Sequence, residues 1–111
     1  MSDMGISLRE LKPIVVTIPP GVTIADSIPL DSFVAAKYLI SLFNTDEDVF
    51  KALEAFVTKE SNEKISDTVF SKLGDSIAVS LNFKRVGSDL QLEVMNSELF
   101  SLILHFFRKI I

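Results

Sequence analysis

The sequence lacks the residues from which small proteins build covalent or metal-held scaffolds. It has no cysteine and one histidine among 111 residues, which excludes a disulfide framework and a zinc–thiolate site. Its four glycines form no glycine-rich phosphate loop. No apolar run approaches the ~20 residues that a membrane-spanning helix needs, and the amino terminus lacks a secretory signal pattern. These absences predict a cytoplasmic protein with no metal, cofactor or transmembrane segment.

What is present is apolar and acidic. Hydrophobic residues make up 48% of the chain, with nine phenylalanines and no tryptophan, so one domain-sized core has ample material. The formal net charge is −4. An acidic chain lacks the broad positive field that attracts phosphate backbones, and we therefore predict no nucleic-acid partner.

The clearest local pattern is a β-hairpin over residues 77–95. Ile77, Val79, Leu81 and Phe83 alternate with small or polar residues, which is the period of a strand buried on one face. A two-residue turn at Gly87-Ser88 pairs Val86 with Asp89. The same register places Phe83 opposite Leu92 and Lys84 opposite Gln91, so that apolar meets apolar and polar meets polar.

The segment 99–111 is almost wholly apolar and admits two interpretations. As a helix it has one narrow polar stripe of Glu98, Ser101, His105 and Arg108 at helical spacing. As a strand it is apolar on both faces, which a small one-sided sheet does not need. Helix is the preferred interpretation, with strand left open for residues 99–109.

Residues 1–30 contain all four prolines and differ from the rest of the chain. Ile14 to Ile18 is β-branched and is typical of an edge strand, either joined to the hairpin sheet or added to a neighbouring subunit. We predict an arm or strand at residues 1–30 and a single α+β domain at residues 31–111.

Three further helices are expected upstream of the hairpin. A nearly all-apolar stretch predicts a helix over residues 32–43. Thr45 and the acids after it favour a second helix start, followed by apolar residues at helical offsets from Val49 to Val57. A short helix runs from Ser66 to Leu73, ended by Gly74. The predicted fold class is α+β: a small antiparallel sheet covered by about four helices.

Two polar clusters suggest alternative functions. Tyr38 and His105 are the titratable side chains of a hypothetical enzyme or ligand site, although no oxyanion-hole sequence accompanies them. Lys84-Arg85 at the hairpin tip suggests weak nucleic-acid binding, but no stacking aromatic lies on that face.

The leading hypothesis is a non-enzymatic protein-interaction or assembly module, either a homo-oligomer or a small subunit of a larger complex. Assembly factors, adaptors and small viral structural or accessory proteins fit this description. Its basis is an excess of apolar residues in a chain too small to bury them all in one core. The predicted interaction residues lie in the 14–18 strand and the carboxy-terminal segment: Ile14, Val16, Ile18, Leu99, Ile103, Phe106, Phe107 and Ile110.

Overall fold

The structure is a computed structural model that describes residues 13–46, 48–60 and 65–110. The described chain is built from β-strands. Their bounds are β1 Ile14–Ile18, β2 Gly21–Pro29, β3 Ala35–Asn44, β4 Phe50–Lys59, β5 Ile65–Gly74, β6 Val79–Val86, β7 Asp89–Asn96 and β8 Leu102–Ile110. A 3-10 turn at Leu30–Ser32 connects β2 to β3.

The strands form two antiparallel sheets that pack as a β-sandwich. The larger sheet has the order β1-β8-β3-β4-β5 and the smaller has the order β2-β7-β6. The first and last strands are neighbours, and the second strand pairs with the seventh in the opposite sheet. We call the end that holds the β3–β4 turn the upper end. The end with the β6–β7 turn, where the amide of Leu30 donates to the carbonyl of Ser88, is the lower end.

The core lies between the two sheets. Strands β3 and β8 contribute Tyr38, Leu42, Leu104 and Phe106, each 1% exposed or less. The smaller sheet closes the core with the inner residues of its hairpin, Phe83, Leu90, Leu92 and Val94. Alternate residues of one strand point to opposite sheet faces, so each core strand also presents a second set of side chains outward.

The α+β prediction with about four helices is wrong. The segments predicted as helices, 32–43, 45–59, 66–73 and 98–111, hold strands β3, β4, β5 and β8. Strands β3 and β8 are neighbours inside the larger sheet and are apolar on both faces, which erases the period-two alternation of a one-sided strand. The helix preferred for residues 99–109 is wrong, and the alternative strand is confirmed from Leu102 onward, where β8 begins.

The predicted hairpin and the predicted strand at residues 14–18 are both present. The β6–β7 hairpin has the predicted register, including Val86 opposite Asp89 and Phe83 opposite Leu92. Strand β1 has the predicted bounds, 14–18, but it pairs with β8 and not with the hairpin. The division between residues 1–30 and 31–111 stays a prediction, and residues 1–12 lie outside the described part. Within that part, β1 and β2 supply one strand to each sheet.

Within the described ranges, no helix has the length and apolar character needed to span a membrane.

Candidate protein-docking face

The outer face of the smaller sheet is polar along its centre, whereas one corner exposes the apolar residues Val22, Ile24 and Met95. Its central strand exposes Gln91 and Glu93, flanked by Asn82 and Lys84 of β6. Nζ of Lys84 lies 2.6 Å from Oε2 of Glu93, and this hydrogen bond holds the pKa of the Glu93 carboxyl below its ordinary value. A polar outer face is what a two-layer sandwich in water requires.

The outer face of the larger sheet is different, because apolar side chains dominate it. We name it the apolar face and define it by seven residues: Val15, Leu39, Phe43, Phe50, Phe56, Ile103 and Phe107. The strand register arranges the outward side chains in four rows across the sheet. From the upper to the lower end the rows are Thr17–Ile103–Phe43–Phe50, Val15–His105–Ser41–Ala52, Phe107–Leu39–Glu54 and Lys109–Lys37–Phe56.

Five of these apolar side chains are strongly exposed. Val15 is 56% exposed, Phe50 51%, Leu39 48%, Phe56 41% and Phe107 39%. The four rows on four adjacent strands have a footprint of about 500 Å² at ordinary strand and residue spacings, and the seven residues of the apolar face fill about half of it. Contiguous apolar patches of a few hundred Å² or more mark interaction sites on proteins. The apolar face therefore has the size and character of a docking surface.

The upper half of the apolar face is aromatic and ordered by ring contacts. The centroids of the Phe43 and Phe50 rings are 5.9 Å apart. The His105 ring meets Phe43 edge-on, with centroids 5.0 Å apart and an interplanar angle of 71°. His105 is thus part of an aromatic cluster, and such clusters are rigid anchors for a partner surface.

Two lysines lie at the lower margin of the apolar face. Lys37 lies directly opposite Lys109 in the register, and like charges placed opposite each other destabilise a strand pair. Nζ of Lys37 forms a salt bridge with Oε2 of Glu54 at 3.2 Å. The same atom lies 5.4 Å from the centroid of the Phe56 ring. A cleft of about 220 Å³ opens here, lined by Lys37, Leu39, Phe107, Arg108 and Lys109.

The upper end carries acids. Asp46 and Asp48 are exposed in the β3–β4 turn, directly beyond the Phe43–Phe50 row. Asp75 lies beside the same row, where its Oδ2 accepts a hydrogen bond of 2.8 Å from the amide of Phe50. The apolar face therefore has an acidic upper margin and a basic lower margin.

The residues predicted for interaction lie in four different environments. Ile103 and Phe107 belong to the apolar face. Ile18 and Phe106 are fully buried core residues. Three others lie off the apolar face and are exposed: Ile14 by 42%, Leu99 by 98% and Ile110 by 39%. Val16 is partly buried against the core.

Leu39, Phe50 and Phe56 were not among the residues predicted for interaction. All three were placed in predicted helices, where the outward face of a strand cannot be recognised. For Leu39, the signal is apolar residues at both odd and even positions of 35–44, which is typical of a strand apolar on both sides.

The structure does not bring Tyr38 and His105 together, whereas Lys84 and Arg85 lie beside the hairpin turn as predicted. Tyr38 points into the core, where burial, followed by its hydrogen bond to Asp26, raises the pKa of its hydroxyl. His105 lies on the outer side of the same sheet, so the two do not share a site. At the hairpin tip Lys84 pairs with Glu93, and Nε of Arg85 donates to the carbonyl of Gly87 at 3.1 Å.

Comparison with known proteins gives a likeness of fold. No protein-family model and no curated protein sequence matches the chain. Among solved structures, a tailspike protein of Acinetobacter baumannii bacteriophage Fri1, a capsular polysaccharide depolymerase, superposes with a TM-score of 0.51 at 11% identity. The match covers 83% of this chain and 16% of that one, so the chain spans about one sixth of the tailspike's length.

A second similar structure is the tailspike protein of Acinetobacter baumannii phage AM24. It matches with a TM-score of 0.38 at 8% identity, over 86% of this chain and 25% of that one. The first likeness shows a shared sandwich fold, and at this score the second adds nothing to it.

Proposed function

We propose that this protein is a non-enzymatic protein-interaction module that docks another protein surface on its apolar face. The observation that carries the proposal is the contrast between its two outer faces. One has a polar centre with the Lys84–Glu93 ion pair and a small apolar corner at Val22, Ile24 and Met95. The other exposes aromatic and aliphatic side chains on four adjacent strands, over about half of a footprint of about 500 Å². Exposing that area to water is unfavourable, and burying it against a partner removes the penalty.

The layout of the apolar face supports the same proposal. Protein interfaces have an apolar core enriched in aromatic residues and a polar, solvated rim. Here Leu39 and Phe107 lie in an inner row, with Lys109 and Asp46 at opposite margins. The cleft beside Leu39 and Phe107 is a place for one side chain of a partner to insert.

Within this class we favour a structural module of a larger assembly, such as a small viral structural protein. The support is the fold likeness to a phage tailspike, in which the matching region is 16% of the chain. A sandwich of this size then serves as one part of a larger particle, held to its neighbours through the apolar face.

Site-specific photo-crosslinking tests the docking role directly. A photoreactive amino acid is placed at Leu39 on the apolar face or, as a matched control, at Gln91 on the polar face. Irradiation in cells that produce the protein, followed by mass spectrometry, is expected to give a discrete polypeptide adduct at position 39 and none at position 91. If position 39 yields no polypeptide adduct, the apolar face is not a docking surface and the proposal fails.

A further inference from the structure

We infer that the partner on the apolar face is a second copy of this chain, packed face to face with its strands antiparallel. This inference rests on the proposed function and names the occupant of the same face. The two copies are related by a two-fold axis that lies in the plane of the interface and runs perpendicular to the strands. Such an axis brings the upper end of one copy over the lower end of the other, and each strand over its own counterpart.

Charge is the first argument for a second copy. The apolar face is basic at its lower margin, through Lys109 and Lys37, and acidic at its upper margin, through Asp46 and Asp48. In the antiparallel arrangement each basic margin lies beside the acidic turn of the other copy. A parallel arrangement opposes like charges at both margins, which disfavours it. A single surface that carries both signs at opposite ends is self-complementary, as a two-fold interface requires.

Side-chain size is the second argument. The two-fold axis places the row that contains Ser41 and Ala52 against the row that contains Leu39 and Phe107 of the other copy. Ser41 then faces Leu39 on β3 and Ala52 faces Glu54 on β4, and a small residue opposite a larger one allows the two layers to interdigitate. On β8 the His105 ring faces the Phe107 ring. The same axis brings Phe43 against the ammonium group of Lys37 in the other copy, a favourable cation–aromatic pairing.

The footprint of the four rows, polar members included, is large enough for a weak interface. About 500 Å² from each copy gives a total of about 1,000 Å², the lower bound for a specific interface. The area predicts a reversible dimer and not an obligate one. Its dissociation should therefore be measurable by dilution.

A charge-swap experiment with light scattering and sedimentation tests the arrangement. One variant carries Lys109→Glu and the other Asp46→Lys; both positions are exposed, and Lys37 is left intact because it pairs with Glu54. Each variant alone opposes like charges at both margins and should dissociate at least tenfold more readily than the unchanged protein. In an equimolar mixture, a dimer of one variant with the other has attractive contacts at both margins. The mixture should therefore dimerise as readily as the unchanged protein. Asp31→Lys, at an exposed site off the apolar face, is the matched control and should leave the dimer unchanged.

The outcomes separate this inference from the docking role on which it rests. A purified chain that stays monomeric at all concentrations overturns the inference, as does a dimer that ignores both charge reversals or is not recovered on mixing. If position 39 nevertheless crosslinks to a different polypeptide, the docking role stands and the second copy is excluded. Recovery on mixing cannot arise from misfolded variants, so loss of folding in either variant does not imitate the expected result.

Discussion

The hydroxyl of Tyr38 donates a hydrogen bond of 2.7 Å to Oδ2 of Asp26 and thereby ties the two sheets together. Tyr38 lies on β3 of the larger sheet and is 1% exposed, with its ring 5.2 Å from Phe83 and 5.7 Å from Phe106. Asp26 lies on β2 of the smaller sheet, and its other oxygen accepts from Arg108. Two donors of one sheet therefore converge on a single carboxylate of the other.

Removing the Tyr38 hydroxyl should destabilise the sandwich. Tyr38→Phe keeps the ring contacts but leaves an oxygen of Asp26 without its buried donor, which costs about 1–3 kcal/mol. Urea unfolding of the variant and of the unchanged protein measures the difference. Ser80→Ala, which removes an exposed hydroxyl on β6, is the control and should change stability by less than about 0.5 kcal/mol. Equal stability of Tyr38→Phe and the unchanged protein would show that the inter-sheet bond contributes nothing.

Alkaline pH should weaken the folded state through the same residue. Burial and the Asp26 hydrogen bond raise the pKa of Tyr38 in the folded protein, whereas in the unfolded chain it titrates near its ordinary value of about 10. The neutral hydroxyl thus stabilises the fold below about pH 10, and this contribution is lost as pH rises further, at about 1.4 kcal/mol per pH unit.

Urea unfolding between about pH 9 and 11 checks this slope. Tyr38 is the one tyrosine and the chain has no tryptophan, so tyrosinate absorbance reports this residue alone and should rise only as the protein unfolds. Tyr38→Phe provides the reference, since it retains every lysine that titrates in the same range. Identical pH slopes for the two proteins would contradict the prediction.

The hairpin was predictable from sequence because all its determinants are local. Gly87 has a φ of +61°, as a tight turn demands, and one face of each strand is polar. Strands β3 and β8 were not predictable in the same way, because each is buried on one side and belongs to the apolar face on the other. Their apolar residues follow no period of two, and a helix accounts for the pattern equally well.

The turn between β3 and β4 shows a second cause of error. Thr45 and the acids after it have the composition of a helix start, yet they connect two strands. The side chain of Asn44 forms this turn, since its Oδ1 accepts from the amides of Asp48 at 3.0 Å and Val49 at 3.3 Å. Asparagine, aspartate and threonine satisfy backbone amides in helix caps and in turns alike. The docking face depends on strand pairing across the whole chain, and local composition does not encode that pairing.

Asn96 should be among the side chains least tolerant of change. It is 2% exposed, and its Nδ2 donates to the carbonyls of Ile18 at 3.0 Å and Phe100 at 2.9 Å, while its Oδ1 accepts from the amide of Glu98. Asn96→Ala leaves these backbone groups without their partner and should cost about 2–4 kcal/mol. Thermal unfolding measures the loss. Asn82→Ala on the exposed polar face is the matched control, and a similar loss in both variants would refute a special role for Asn96.

Gly74 should tolerate no side chain, for two separate reasons. Its φ is +122°, which L-residues rarely adopt, and a Cβ built there would lie 2.4 Å from the carbonyl oxygen of Phe50 and 2.8 Å from Cα of Lys51. The clash is with backbone and cannot be relieved by a rotamer change, so we expect Gly74→Ala to cost about 3 kcal/mol or more.

A substitution at Gly87 measures the cost of a positive φ without the backbone clash that is present at Gly74. Its φ of +61° is also positive, but no atom lies within 4 Å of the position that a Cβ would occupy there, so Gly87→Ala should cost only about 1–2 kcal/mol. Asparagine accepts this left-handed conformation, and Gly87→Asn should be milder still. Chemical unfolding of the three variants should therefore rank Gly74→Ala as the most destabilised. Equal losses at positions 74 and 87 would mean that β4 and β5 separate to accommodate the methyl group, and that the close approach at Phe50 does not constrain the sheet.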